Sequence, residues 1–334
     1  MELEKSENGI WNFSKRPSKI DPTYEKFLLQ SVNAIDKVFD EAKNRSEFEF
    51  ILTLLGVRGL SDAGWDPFET TKYVFGLFSD LLNSKLSFKE SIHYSLLLYG
   101  HLVEASEPYE IICNMINIGN GGRYRSYNFP EKGERKRPQS PSEKIRKLEE
   151  LAITSNQKDV LQLFNTFYDR ELRNSIFHSD YSVYGSELRI KTPIKVYKHA
   201  EIMNVINQCI AYYNALINII DHSKSVYKEP KIIDVHPEFS RYPNEKAITI
   251  IRQGDGLVGL KDNLTPEQKK SGFITFRVGK FLPYELKIID YDPSLVILPH
   301  NKIEKTNKLI KIFPSSIRRK IVKYLSKNIY KISS

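Results

Sequence analysis

The sequence predicts a mainly α protein: a helical bundle with a short β-hairpin before its closing helix, then a small α+β domain. Three observations carry that expectation. Apolar residues recur at helical spacing in successive segments between residues 21 and 222. Helix-capping signals stand at the starts of several of them. Beyond residue 245 the apolar period shortens to that of strands. The expected layout is a flexible tail over 1–20, a helical domain over 21–228, a linker over 229–245 and an α+β domain over 246–334.

Asp21-Pro22 opens the first helix, with Asp as N-cap and Pro in the first turn, where a missing N–H costs nothing. Tyr24, Leu28, Ile35, Phe39 and Ala42 follow on one face. A shorter, more apolar helix is expected over 47–58. Asp66-Pro67 repeats the start signal for a helix reaching Leu82. Ser87-Phe88-Lys89-Glu90 is a capping box for a helix toward Leu102, and another helix is expected from Pro108 to Ile118. Gly119-Asn120-Gly121-Gly122 then interrupts the pattern. Ser140-Pro141-Ser142-Glu143 restarts it, and one helix is expected over about 157–178. Residues 180–190 read as a hairpin turning at Gly185, and 200–222 as a strong helix. Strands are expected at 247–251, 257–260, 273–278 and 286–289, and a basic helix over the last thirty residues.

Composition narrows the classes. Apolar residues make up 40% of 334, enough for a sizeable core. Two widely separated cysteines, Cys113 and Cys209, permit no disulfide framework or cysteine zinc pattern, which favours a reducing compartment. The polar N-terminus lacks a signal-peptide layout, and no apolar run approaches the about 18 residues of a membrane span. The expected location is the cytoplasm. The net charge of +9 is uneven: −6 over residues 1–119 and +15 over 120–334. Either the basic half meets a polyanion or it is a solvated lysine-rich surface.

The chemistry-bearing stretch is Arg173-Asn174-Ser175-Ile176-Phe177-His178. At about 100° per residue, Leu161, Phe164, Tyr168, Leu172 and Ile176 share a core stripe. Asn174 and His178, four apart, fall on the opposite side with Arg170, Phe167 and Phe177. Those aromatics imply either a second surface or burial all round. An imidazole can move a proton near neutral pH, and a guanidinium can stabilise a phosphorane. One chain supplies one such imidazole, whereas internal cleavage of RNA needs a base and an acid, so a two-fold pair is expected to complete the site.

Arg173-Asn174-x-x-x-His178 near the end of a helix in an all-helical domain resembles the HEPN superfamily (higher eukaryote and prokaryote nucleotide-binding). The likeness covers about residues 21–228. It implies a metal-independent, cofactor-free endoribonuclease of the toxin–antitoxin or antiviral-defence kind, working as a homodimer with a composite site. It further implies that His178 is the acid or base, that Arg173 stabilises the pentacovalent phosphate, and that Asn174 holds the imidazole or a phosphate oxygen. The products would be 2′,3′-cyclic phosphate and 5′-hydroxyl ends. RNA and an antitoxin or regulatory partner are the implied partners. A non-catalytic nucleotide- or RNA-binding or interaction module is the alternative.

Two neighbours of the motif are candidates to support it. Arg170 shares the His178 side, and Asp180 either orients a partner histidine or simply sits in a turn. The loop 119–142 interleaves Arg123, Tyr124, Arg125, Arg135, Lys136 and Arg137, a composition suited to a nucleic-acid strand or to a mobile surface insertion. His93 and His101 share a helical stripe, but no ligand set accompanies them, and no metal site is expected. The basic, amphipathic 317–325 segment suits RNA, an anionic surface or an acidic partner.

Overall fold

The computed structural model describes residues 2–263 apart from 16–19, 57–66, 126, 135–136, 154–156, 240–243, 253 and 255. The described residues fall into a helical unit up to Ser223 and a second unit from Lys224 onward.

In the helical unit, α1 (Pro22–Arg45) starts where the Asp-Pro signal placed it. The Asp21 carboxylate accepts the Thr23 N–H at 2.8 Å. Leu28, Ile35, Phe39 and Ala42 line its buried face. The expected elements follow: α2 (Glu47–Gly56), α3 (Pro67–Leu82), α4 (Phe88–Glu104), α5 (Glu107–Gly119) and α6 (Pro141–Ile153). The Ser87/Glu90 capping box of α4 is reciprocal. After α7 (Lys158–Phe167) and α8 (Arg170–His178), β3 (Tyr181–Tyr184) and β4 (Glu187–Ile190) form the expected hairpin, and β5 (Lys195–Lys198) adds a third antiparallel strand. The long helix α9 (His199–Ser225) returns to the core. There Tyr212 meets Phe164 and Phe167, each at 5.1 Å between ring centroids.

Three expectations for the helical unit are corrected. The first residues are not a loose tail. β1 (Glu2–Lys5) and β2 (Trp11–Lys15) form an antiparallel hairpin. Trp11 is 4% exposed and edges onto His222 of α9. The Leu3 N–H donates to Asn218 at 3.0 Å, and Lys5 pairs with Asp36 and Asp40 of α1. Burial of Leu3 and Trp11 offsets the entropy of ordering so short a segment.

The 157–178 helix is broken at Tyr168-Asp169, where both residues are extended. Tertiary hydrogen bonds outweigh the continuous helical period there. The buried Tyr99 hydroxyl donates to the Phe167 carbonyl (3.0 Å) and accepts the Asp169 N–H (2.9 Å).

The loop 119–142 is fastened to the core rather than projecting as a mobile insertion. Glu110 accepts the backbone and side-chain N–H groups of Asn128, both at 2.8 Å. Asn114 exchanges two hydrogen bonds with the Arg125 backbone. Burial raises the Glu110 pKa even so, with these donors opposing the rise.

The second unit contains β6 (Ile232–Asp234), β7 (Lys246–Arg252) and β8 (Gly256–Asp262) in one antiparallel sheet. The expected linker therefore carries a strand: Ile233 and Val235 are buried, and Ile232 pairs with Ile248. The expected strands at 273–278 and 286–289 and the basic terminal helix lie outside the described residues.

Candidate functional site

Helix α8 is short and capped at both ends. Asp169 is its N-cap and accepts the N–H groups of Glu171 and Leu172, both at 2.9 Å. Its other carboxylate oxygen accepts from Tyr197 (2.7 Å) and Lys195 (3.3 Å) of β5. At the C-terminus Ser179 takes a left-handed conformation, φ 54°, and the Asp180 N–H closes on the Ser175 carbonyl at 2.9 Å. Asp180 thus helps end α8 through its backbone, in keeping with a turn residue.

The two faces of α8 separate cleanly. Leu172, Ser175 and Ile176 are buried, and the Ser175 hydroxyl donates to the Leu172 carbonyl. Arg170, Phe177 and His178 are exposed, and Arg173 and Asn174 are half-buried between the two sets. Phe177 is 51% exposed. Phe167, expected beside it, is instead buried in the core because the break at Tyr168 turns α7 away from the α8 register.

Arg173 is the most fully hydrogen-bonded group of the set. Its Nε and Nη2 both donate to Oε1 of Glu104, the last residue of α4. Its Nη1 donates to the Asn174 amide oxygen at 2.8 Å. The Phe177 ring lies 5.0 Å from the guanidinium carbon. A carboxylate, an amide and a ring therefore fix the plane of the guanidinium and leave some N–H groups uncommitted. The Asn174 amide oxygen is thus taken up by Arg173. Among the described residues the His178 imidazole makes no hydrogen bond and is exposed in the last helical turn.

α8 sits close on α4 because Gly100 has no side chain. A Cβ there would lie 3.3 Å from Ile176 Cγ2 and 3.4 Å from Phe177 Cε2. Neither Glu104, Tyr99 nor Gly100 was singled out from sequence. Their partners are some seventy positions away, so no local spacing marks them.

The loop residues fare unevenly. Tyr124 is 3% exposed and its backbone N–H donates to Glu49, so its ring offers no stacking face to a base. Arg123 donates to the carbonyls of Gly121 and Gly122. Arg137 grips Glu143 at 2.8 and 2.9 Å. That grip, with the Ser140 N–H, holds the Glu143 carboxyl well below the usual range. Arg125 is exposed; Arg135 and Lys136 lie outside the described residues.

The two histidines of α4 are half-buried. His93 Nδ1 is 3.2 Å from the Tyr181 hydroxyl, and burial lowers the His101 pKa. Burial pushes the Cys113 thiol up to about 12. Among the described residues no group of three or more His, Cys, Asp or Glu could hold a metal, and no helix is long and apolar enough to cross a membrane. Comparison with protein-family models, curated proteins and solved structures gives no match to this chain.

Proposed function

We propose that the chain is a HEPN-type, metal-independent endoribonuclease of a defence or toxin–antitoxin system, acting in the cytoplasm as a homodimer. The observation that carries this reading is the exposed His178 imidazole on the same short helix as a guanidinium held in a fixed plane. Arg173, with its uncommitted N–H groups, would bind non-bridging phosphate oxygens and stabilise the charge that grows in the transition state. His178 would take the proton from the 2′-hydroxyl as that oxygen attacks phosphorus. The protonated His178 of a second copy would give a proton to the departing 5′-oxygen. The products are a 2′,3′-cyclic phosphate and a 5′-hydroxyl, and each imidazole ends in the state the other began in. Phe177 beside the pair provides an apolar surface for the two-fold contact.

The test is incubation of the purified chain with total RNA in EDTA, with mapping of the cleaved ends. His178→Ala and Arg173→Ala are each expected to lower the rate at least about a hundredfold, with circular dichroism unchanged. Full activity in either folded variant, or complete loss in EDTA, would count against the proposal.

One observation favours a second reading, a non-catalytic RNA- or nucleotide-binding or interaction module: Glu104 already neutralises Arg173. That module would bind RNA without cutting it, and an antitoxin or other regulator would be its partner.

A further inference from the structure

The β3–β4–β5 sheet has two unlike faces. Inward lie Leu188, Ile190 and Tyr197, all buried. Outward, the register sets Ser182, Arg189 and Val196 in one row and Tyr184, Glu187 and Lys198 in the next. Tyr184 is 67% exposed although it sits on a paired strand, beside the tight turn at Gly185. The Arg189 guanidinium lies over its ring, 4.5 Å from the centroid. Glu187 holds that guanidinium in place, accepting from Nε at 3.2 Å and Nη2 at 2.9 Å. Diagonal neighbours on one face of an antiparallel pair reach each other in this way.

We propose that this outer face binds single-stranded RNA, with a base stacking on Tyr184 and phosphates drawn by Arg189, Lys191 and Lys198. An exposed ring costs hydration wherever it stands; one whose plane is fixed by an arginine is a ready stacking platform for any base. The charge points the same way. Residues 181–198 carry Arg189, Lys191, Lys195 and Lys198 against the single acid Glu187; Arg189 is paired with Glu187 and Lys195 with Asp169 and Glu171, and among the described residues Lys191 and Lys198 make no ion pair. A protein partner would favour a continuous apolar patch, whereas here the exposed apolar side chains Tyr184, Ile194 and Val196 stand among cations. Position also agrees. β3 begins three residues after His178, so the sheet starts next to the end of the helix that carries the proposed scissile position. The inference rests on RNA being the substrate class proposed above, and it supplies a subsite flanking the cut.

The test is fluorescence anisotropy with a short labelled single-stranded RNA, in a His178→Ala background so that the probe survives. Tyr184→Ala is expected to weaken binding about tenfold and Arg189→Ala severalfold, while Tyr184→Phe, which keeps the ring, binds as the parent does. A duplex of the same sequence should show little dependence on Tyr184. Binding that depends on Tyr184 in a protein that never cuts RNA would sink the nuclease reading and leave this subsite standing. Parental affinity in Tyr184→Ala, or no RNA binding by the parent, would overturn the subsite. So would a change in self-association, with RNA affinity unmoved, because the face would then be a protein interface.

Discussion

Arg173 is held by a partner that a phosphate must share it with. Glu104 takes the Nε–Nη2 edge, and Asn174 takes Nη1. Two opposed effects follow. The carboxylate cancels the charge that attracts RNA, and it also fixes the plane in which the guanidinium meets the phosphate. For a reaction that depends on orientation, the second effect dominates turnover. Glu104→Ala is therefore expected to lower kcat about tenfold while RNA affinity stays level or tightens, and Glu104→Gln, which keeps an acceptor oxygen, should recover most of the loss. Single-turnover kinetics beside equilibrium binding separates the two, and an unchanged kcat in Glu104→Ala would remove Glu104 from the site. The local motif made Arg173, Asn174 and His178 visible in the chain, because they share one helix. Glu104 was invisible, because only the packing of α4 on α8 brings it there.

The placement of α8 depends on its break from α7. The break leaves a carbonyl and an N–H without helical partners, and one hydroxyl, Tyr99, satisfies both. Tyr99→Phe keeps the ring and strands those two backbone groups, the carbonyl buried and the N–H half-buried. The expected cost is about 1–3 kcal/mol, read from urea denaturation, and a cost below about 0.5 kcal/mol would mean that water takes over the role. The apolar period alone reads straight through Tyr168, since a helix of either length buries Leu161, Phe164, Leu172 and Ile176. A faint signal was present: Asp169 is a favoured N-cap residue, with Glu171 in the first turn.

Within the helical unit, the N-terminal hairpin is tied across two helices. Lys5 reaches Asp36 and Asp40 on α1, and Trp11 packs on His222 of α9. Burial first, then the nearby Lys5 charge, lowers the His222 pKa, with Asp36 and Asp40 opposing. An undocked imidazole titrates near about 6.5, so the unfolded chain binds the proton more readily than the folded one. The stabilisation is thus whole above that pH and declines as pH falls through it. Thermal unfolding should show the midpoint dropping between pH 7.5 and 5.5 by more in the wild type than in His222→Gln; equal slopes would refute the link. The flexible tail expected from a short polar start missed this docking. Leu3 and Trp11 find their partners some two hundred positions away in the chain.

Periodicity and caps were enough to place the helices, because a repeating apolar face and an Asp-Pro or capping-box start act over a few residues. The hairpin at Gly185 was legible for the same reason. Partners in other segments settled the rest: the cut between α7 and α8, the fastening of 119–142, the strand inside the supposed linker, the burial of Tyr124 and the carboxylate on Arg173. Each of those depends on hydrogen bonds or buried area between separate segments, from 11 to 75 positions apart, and such pairings exist only once the chain has packed.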